Sequence, residues 1–522
     1  MKRNRVLKKV LYSMLSGLML TASFPPGKLD WLAWLALVPL LKALDDVSPS
    51  HAFKLGLYAG FAHFITLIYW IVVVLEHYGG LNMLTSLAVL ILFCLYLSIY
   101  PALFSFLTRY LKGSRFSLFM TAGIWVALEY LRSSLLTGFP WCLIGYTQYR
   151  HLGLIQSADL VGVYGLSFLL VLSNGLIFAL FFTRNPIRRP LFKLEFALII
   201  LLMVLTFAYG NRRIAGSKTD QSMGRSVNIA VVQGNIDQSV KWHPAYQEKT
   251  IHQYRRLTLA AEPYKPHLII WPETSVPFFF QDKHELSESV SLLPKQLGTY
   301  LIFGSPAHAS EGGKTRYYNR AYCLSPGGEI SGYYDKTHLV PFGEYIPLKR
   351  FLPFVHRLVT AAGDFAAGEE INPLKMPILS SGILICFEVI FPELARTHVR
   401  KGADILVNLT NDAWFGRTSA PYQHLSMAVF RAVENRRPLI RAANTGISAF
   451  INAEGKVMSQ GGLFQEEVLF QKIRYGDPSQ GFYTKYGDLF AILLLIISLI
   501  KILHLLFYKL FIGQSKRIRL GH

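Results

Sequence analysis

Apolar residues are so unevenly distributed along this chain that one class of fold is excluded at once. They concentrate before about residue 210 and after residue 487, and the stretch between them is far less greasy. An oversized soluble core would not be partitioned in that way, whereas membrane spans are. The overall balance agrees, since 52% hydrophobic against 16% charged residues is too apolar for a 522-residue soluble protein. Eight candidate spans follow: 10–24, 29–44, 53–75, 81–107, 116–136, 161–182, 191–209 and 489–511. The basic start MKRNRVLKK before 10–24 also fits a signal peptide, but the apolar segments that follow at once favour a first span. Several segments approach the ~20 residues a bilayer helix requires, while the first two are short enough to form a hairpin.

The net charge of +21 invites a nucleic-acid reading, which the placement of the charges argues against. The basic residues cluster in short connections beside apolar runs, where topology and anionic lipid account for them. One group is the N-terminal cluster, and a second is Arg109, Lys112 and Arg115. A third is Arg184, Arg188, Arg189 and Lys193, and the last is Lys516, Arg517 and Arg519. With eight spans all four groups fall on one face, which the positive-inside rule makes cytoplasmic. The expected organisation is a membrane domain over 1–210 with about seven spans, a domain at 211–486 on the opposite side, and a final span with a basic tail at 487–522.

Within 211–486 the pattern changes to short hydrophobic runs at 227–233, 267–271, 300–305, 382–386 and 403–409, alternating with helical segments such as 245–261 and 422–435. Strands that are apolar on both faces, separated by helices, predict an α/β domain around a buried sheet.

Chemistry is expected at ILICFEVIF (383–391), which delivers Cys386 to the end of a buried strand with Glu388 two residues on. A strand-to-helix junction is a rigid support for an exposed nucleophile. Two other segments carry matching groups: LIIWPETSVP ends its apolar run at Glu273, and YYDKTHLVPFGEYIP holds Lys336 and Glu344. A thiol with a pKa near ~8.5 needs a base or a cationic neighbour at neutral pH. Glu273 suits the first role and Lys336 the second. Taken singly, each has a plainer reading: a packed strand cysteine, a helix-capping glutamate, one half of a surface ion pair. The remaining cysteines, Cys94, Cys142 and Cys323, form no CxxC pair with one another or with Cys386, so zinc ligation and a disulfide framework are both poorly supported.

The wording of these segments carries further. WPET (271–274), DKTHLVPFGEYIP (335–347), ICFE (385–388) and NLTNDAWFG (408–416), in that order, resemble the nitrilase, or carbon–nitrogen hydrolase, superfamily. FPPGKLDWLAWLALVPLL (24–41), FPWCLIGYTQ (139–148), QGNIDQSVKW (233–242) and the long stretch 420–451 look like the apolipoprotein N-acyltransferases, its membrane-embedded branch. The resemblance implies a nitrilase-like αββα sandwich beside a multi-pass helical membrane domain. It puts a triad on Glu273 as base, Lys336 as oxyanion support and Cys386 as nucleophile, with Trp242, Glu344 and Glu388 in support. Phe387 departs from it, since many members have Tyr after the cysteine. The implied reaction moves an acyl chain from a membrane phospholipid, through a cysteine thioester, to the N-terminal amine of a diacylated lipoprotein. It implies neither metal nor redox cofactor, a monomer, and a site on the periplasmic side of the bacterial inner membrane. A membrane-tethered amidase releasing product to water would use the same triad.

Overall fold

The computed structural model describes residues 2–111, 116–183, 186, 191–220, 225–282, 284–311, 313–346, 365–476 and 480–519. Lys112, Arg115, Arg184, Arg188 and Arg189, invoked above for orientation, lie outside them. The N-terminal part is helical, built from α1 (Lys2–Ala22), α2 (Val38–Ala43), α3 (Pro49–Leu67), α4 (Trp70–His77), α5 (Met83–Tyr110), α6 (Ser117–Ser134), α7 (Leu152–Ile155), α8 (Ala158–Phe182) and α9 (Phe192–Asp220).

The expected span at 29–44 is not a continuous helix. It consists of a 3₁₀ turn at Asp30–Trp34 followed by the six-residue α2. The segment nevertheless runs back along α1, because Ser16 Oγ donates to Ala36 O at 2.6 Å and Lys9 Nζ donates to Asp45 O. Irregular backbone is tolerated at membrane depth only where protein satisfies its polar groups. Asn174 of α8 does so here, accepting from Leu37 N at 2.7 Å and donating to Ala33 O at 2.8 Å. Glu129 and Arg132 of α6 both hold the following loop. Glu129 accepts from Ile144 N, and Arg132 donates to the carbonyls of Phe139 and Trp141.

The region after α9 folds as two six-stranded sheets. One contains β1 (Arg225–Gln233), β2 (Leu268–Ile270), β3 (Tyr300–Glu311), β4 (Lys314–Leu324) and β5 (Ile330–Asp335). The other contains β6 (Leu374–Lys375), β7 (Ser380–Ile385), β8 (Ile405–Thr410), β9 (Leu439–Ala443), β10 (Ala449–Ile451) and β11 (Val457–Gln460). The last strand, β12 (Glu467–Tyr475), returns to pair antiparallel with β1. The centres of both sheets are parallel, β1–β2–β3 in one and β7–β8–β9 in the other.

Alternation along each strand sets the layers. Ile229, Val231, Ile270 and Ile302 face Ile383, Ile385, Val407 and Ile440 between the sheets. The opposite face of the first sheet, with Ile269, Trp271 and Phe303, is covered by helices α10 (Pro244–Leu259) and α11 (Glu285–Leu297). The opposite face of the second sheet, with Leu384 and Leu406, is covered by helices α12 (Pro392–Arg400) and α13 (Ala420–Asn435). These two helices share one apolar core with the N-terminal helices, which is why nearly all of α13 is buried. The chain ends on α14 (Phe482–Tyr486) and α15 (Leu489–Arg519).

Among the described residues four helices are long and apolar enough to cross a membrane: α5, α8, α9 as far as Gly216, and α15 from Leu489 to Phe507. The pair α3 and α4, bent by 53°, makes a fifth if taken as one span.

Asn174 tests this arrangement. Asn174→Ala strands buried backbone groups of the 33–37 segment, at about 1–3 kcal/mol for each. Thermal unfolding in detergent should show a clearly lower midpoint for Asn174→Ala. Leu180→Ala, on an exposed part of the same helix, should change it little. Equal midpoints for the two variants would show that Asn174 does not hold the segment.

Candidate active site

β7 ends at Ile385, and Cys386 takes φ 51° before a 3₁₀ turn over Cys386–Ile390 leads into α12. A left-handed backbone costs a non-glycine residue roughly 1–2 kcal/mol and needs local support. Glu388 supplies it by accepting from Ile385 N at 2.7 Å. Its other oxygen accepts from Thr337 N at 2.7 Å, Thr337 Oγ1 at 3.0 Å, His338 N at 3.1 Å and the Tyr334 hydroxyl at 2.9 Å. One buried carboxylate thereby ties the cysteine turn to the loop that carries Lys336.

Glu273 stands just past β2, in a turn where Thr274 is also left-handed, at φ 46°. The turn packs so tightly on β3 that a Cβ at Gly304 would lie 2.4 Å from Thr274 N. From below, Lys241 donates to Glu273 O at 3.2 Å and Thr274 Oγ1 at 2.7 Å. Lys336 follows β5 and is anchored by its own N–H to Asn319 O at 2.9 Å. Its Nζ lies 3.8 Å from Glu273 Oε1 and 2.8 Å from Glu344 Oε2. Asn319 completes the bridge, donating from one amide nitrogen to Glu273 at 2.8 Å and to Glu344 at 3.0 Å. Glu273 Oε2 is buried and makes no hydrogen bond among the described residues.

The electrostatics follow from this packing. Burial pushes the Cys386 thiol up, and Glu273 adds to the effect while Lys336 opposes it. Burial likewise raises the Glu273 carboxyl against the pull of Lys336. Lys336 itself is held above its usual range, because Glu344 and Glu273 outweigh the burial that works against its charge. Lys241 has weaker carboxylate company, and burial brings it down to about 8. The resting site therefore favours a neutral thiol beside a charged Lys336.

Glu273, Lys336, Glu344, Glu388 and Cys386 are thus brought together, and Trp242 follows Lys241, which bonds Glu273. The Trp242 side chain is 46% exposed, and among the described residues no hydrogen bond or ring contact joins it to the cluster. Phe387 packs its ring on Phe391, centroids 5.2 Å apart. Cys94, Cys142 and Cys323 are fully buried.

Sequence reasoning missed Lys241 and Asn319, together with a buried group beyond β8. There Asp412 accepts from Arg441 at 2.6 Å, Thr410 at 2.9 Å and His424 at 3.1 Å. Arg441 and His424 hold the Asp412 carboxyl well below the carboxylate range despite its burial. Trp141, from the loop after α6, stacks on His424 at 5.5 Å. Lys241 stood beside Trp242 in QSVKW, and Asp412 in NLTNDAWFG, but nothing in either segment separates a site residue from a packed one.

Residues 16–176 match the apolipoprotein N-acyltransferase N-terminal domain, and residues 228–478 match the carbon-nitrogen hydrolase family. Along the whole chain, a curated apolipoprotein N-acyltransferase of Geobacter metallireducens is 46% identical over 92% of both sequences. The chain belongs to the apolipoprotein N-acyltransferase family. Members from Methylococcus capsulatus and Haemophilus influenzae are 34% and 33% identical, covering 92% and 94% of this chain and 93% of each relative. Among solved structures, a carbon-nitrogen hydrolase from Helicobacter pylori is 19% identical with a TM-score of 0.37, over 48% of this chain and 89% of that one. In this apolipoprotein N-acyltransferase family member the candidate site opens at the ends of β2, β5 and β7, where both sheets converge.

Glu388 offers the sharpest test of how the site is assembled. Glu388→Gln leaves one amide oxygen to serve donors on two loops, so buried N–H groups on one side lose their partner. Hydrogen exchange at Thr337, His338 and Ile385 should accelerate and turnover should fall by at least about tenfold, the equivalent of one ~1.4 kcal/mol misplacement. Unchanged exchange at all three amides would show that the carboxylate does not hold these loops together.

Proposed function

We propose that the chain N-acylates lipoproteins by a two-step transfer in which Cys386 carries the acyl group. The observation that carries this reading is the convergence of Cys386, in its left-handed turn, with the unpartnered Glu273 Oε2 and the charged Lys336. The comparison with apolipoprotein N-acyltransferases supports the lipoprotein acceptor.

In the first step Glu273 takes the thiol proton as Cys386 attacks the ester carbonyl of a phospholipid. The new carbon–sulfur bond forms while negative charge gathers on the former carbonyl oxygen, facing the Lys336 ammonium. Collapse breaks the ester bond, and the proton held by Glu273 passes to the departing lysophospholipid hydroxyl. In the second step the N-terminal amine of a diacylglyceryl-cysteine attacks the thioester, and its proton returns the thiol to Cys386 through Glu273. Burial makes the Glu273 carboxylate a stronger base but the Cys386 thiol a weaker acid, so the charge of Lys336, which opposes the rise of the thiol, is what favours the thiolate. Glu344 and Asn319 act by positioning Lys336 and Glu273.

Both substrates are lipids whose chains cost ~0.8 kcal/mol per buried CH₂ to withdraw from a bilayer. A site packed against apolar helices through α12 and α13 suits them. We place the catalytic domain on the periplasmic side of the inner membrane, with the chain crossing the bilayer eight times if α1, the broken 29–44 segment and α6 are counted. All the site's groups come from one chain, which suits a monomer.

Incubation with phospholipid alone should acylate Cys386 and release one equivalent of lysophospholipid, read by intact mass and peptide mapping. Diacylated lipopeptide should then clear the adduct as a hydroxylamine-resistant amide, and Cys386→Ala should form no adduct. Loss of the adduct to water, or no adduct without the amine, would contradict the two-step transfer. Orientation is checked separately with Lys314→Cys, on the exposed β3–β4 hairpin. It should react with a membrane-impermeant maleimide in intact spheroplasts, and reaction only after lysis would reverse the topology.

A further inference from the structure

A second concave region lies where α9 leaves its apolar stretch. It is a cleft of ≈ 640 Å³, walled by the end of α9, by the turn between α13 and β9, by the 452–458 loop and by β12. Six cationic side chains line it: Arg212, Arg213, Arg436, Arg437, Lys472 and Arg474. Among the described residues two carboxylates share the wall, Asp404 and Glu454. Arg213 and Arg436 are additionally paired with Asp159 at the start of α8, at 3.5 Å and 2.6 Å. Arg212 and Lys472 are exposed to the cleft from opposite walls.

The depth of this cleft is set by α9. Val204, Leu205 and Phe207 are each more than half exposed, so this face of an apolar, span-length helix is open to lipid. Arg212 comes five residues after Phe207, about 7.5 Å further along at 1.5 Å per residue. That step matches the roughly 5–8 Å between the edge of the hydrocarbon core and the outer headgroup layer. The wall is fixed there, because a Cβ at Gly210 would lie only 1.7 Å from Gly153 O of α7. A cationic cleft at headgroup depth, continuous with a lipid-facing helix, calls for a ligand with an anionic head and apolar chains.

We propose that this cleft binds the headgroup of an anionic phospholipid, holding its phosphate between the α9 and β12 walls while its chains lie along the exposed face of α9. The site is separate from the acyl-transfer centre. Asp404 and Pro438, which line the cleft, precede β8 and β9, whereas Cys386 and Asp412 lie past the far ends of β7 and β8. A six-residue strand at ~3.3 Å per residue puts about 20 Å between them. The bound lipid therefore acts as an anchor that sets the domain against the bilayer surface, not as the acyl donor.

Native mass spectrometry of the delipidated full-length protein tests this, with phosphatidylglycerol and phosphatidylcholine of identical chains as probes. The wild type should retain one phosphatidylglycerol in clear preference to phosphatidylcholine. The double variant Arg212→Gln/Lys472→Gln should lower that preference by about thirtyfold, since each of the two basic residues near a membrane surface contributes on the order of 1 kcal/mol. An unchanged thermal midpoint in detergent is the fold control for the variant. If the variant does not fold, the wild-type preference alone decides. Equal retention of both lipids by the wild type, or full preference kept by a folded variant, would overturn the proposal. Displacement of the lipid by millimolar inorganic phosphate would overturn it too, by identifying a soluble anion as the ligand.

Discussion

The carboxylate of Glu388 holds the candidate site together. Buried in the turn after β7, it accepts five hydrogen bonds, one from the backbone that precedes Cys386 and four from the segment that precedes and follows Lys336. Two candidate catalytic side chains from different sheets are thereby fixed through a third. Burial alone would drive such a carboxyl toward its neutral form, and the donors aimed at it work in the opposite direction.

A second constraint is that the α/β domain is packed on the membrane helices rather than tethered to them. Helix α13 is buried on one side by β8 and β9 and on the other by α8 and the loops that follow α6. Gln423 accepts from the indoles of Trp70 and Trp141 at 3.2 Å and 2.8 Å, and Arg431 donates to the Tyr146 hydroxyl at 2.9 Å. Trp141 goes on to stack against His424, whose Nδ1 sits 3.1 Å from Asp412. A path of direct contacts thus leads from the membrane helices to the ends of the strands that carry the site.

Charge is distributed to match. Lys336 lies between two carboxylates and keeps its proton, while Lys241, which bonds only a carbonyl and a hydroxyl, is brought down by burial. The two lysines are thereby separated in role by their partners: one supplies charge, and the other holds the strained turn under Glu273.

Much of the chain was determined by its sequence through local rules. The strands around 227–233, 268–270 and 405–410 are legible because a buried parallel strand must be apolar on both faces. The junction at Cys386 is legible because an apolar run stops there and Pro392 opens a helix. Glu273, Lys336, Glu344 and Glu388 were legible in their motifs, but their mutual distances were not, since they come from segments tens of residues apart. Periodicity could not reveal that 29–44 breaks into a turn and a six-residue helix, because the partner that permits the break is Asn174, about 140 residues away. The same limit hid Asn319, Lys241 and Asp412, ordinary polar residues until the sheets close around them. Nor could periodicity show that Trp242, a supporting residue by resemblance, would be left about half exposed. Local pattern chose the elements and the candidate site residues, and tertiary packing decided which buried polar groups would have to satisfy one another.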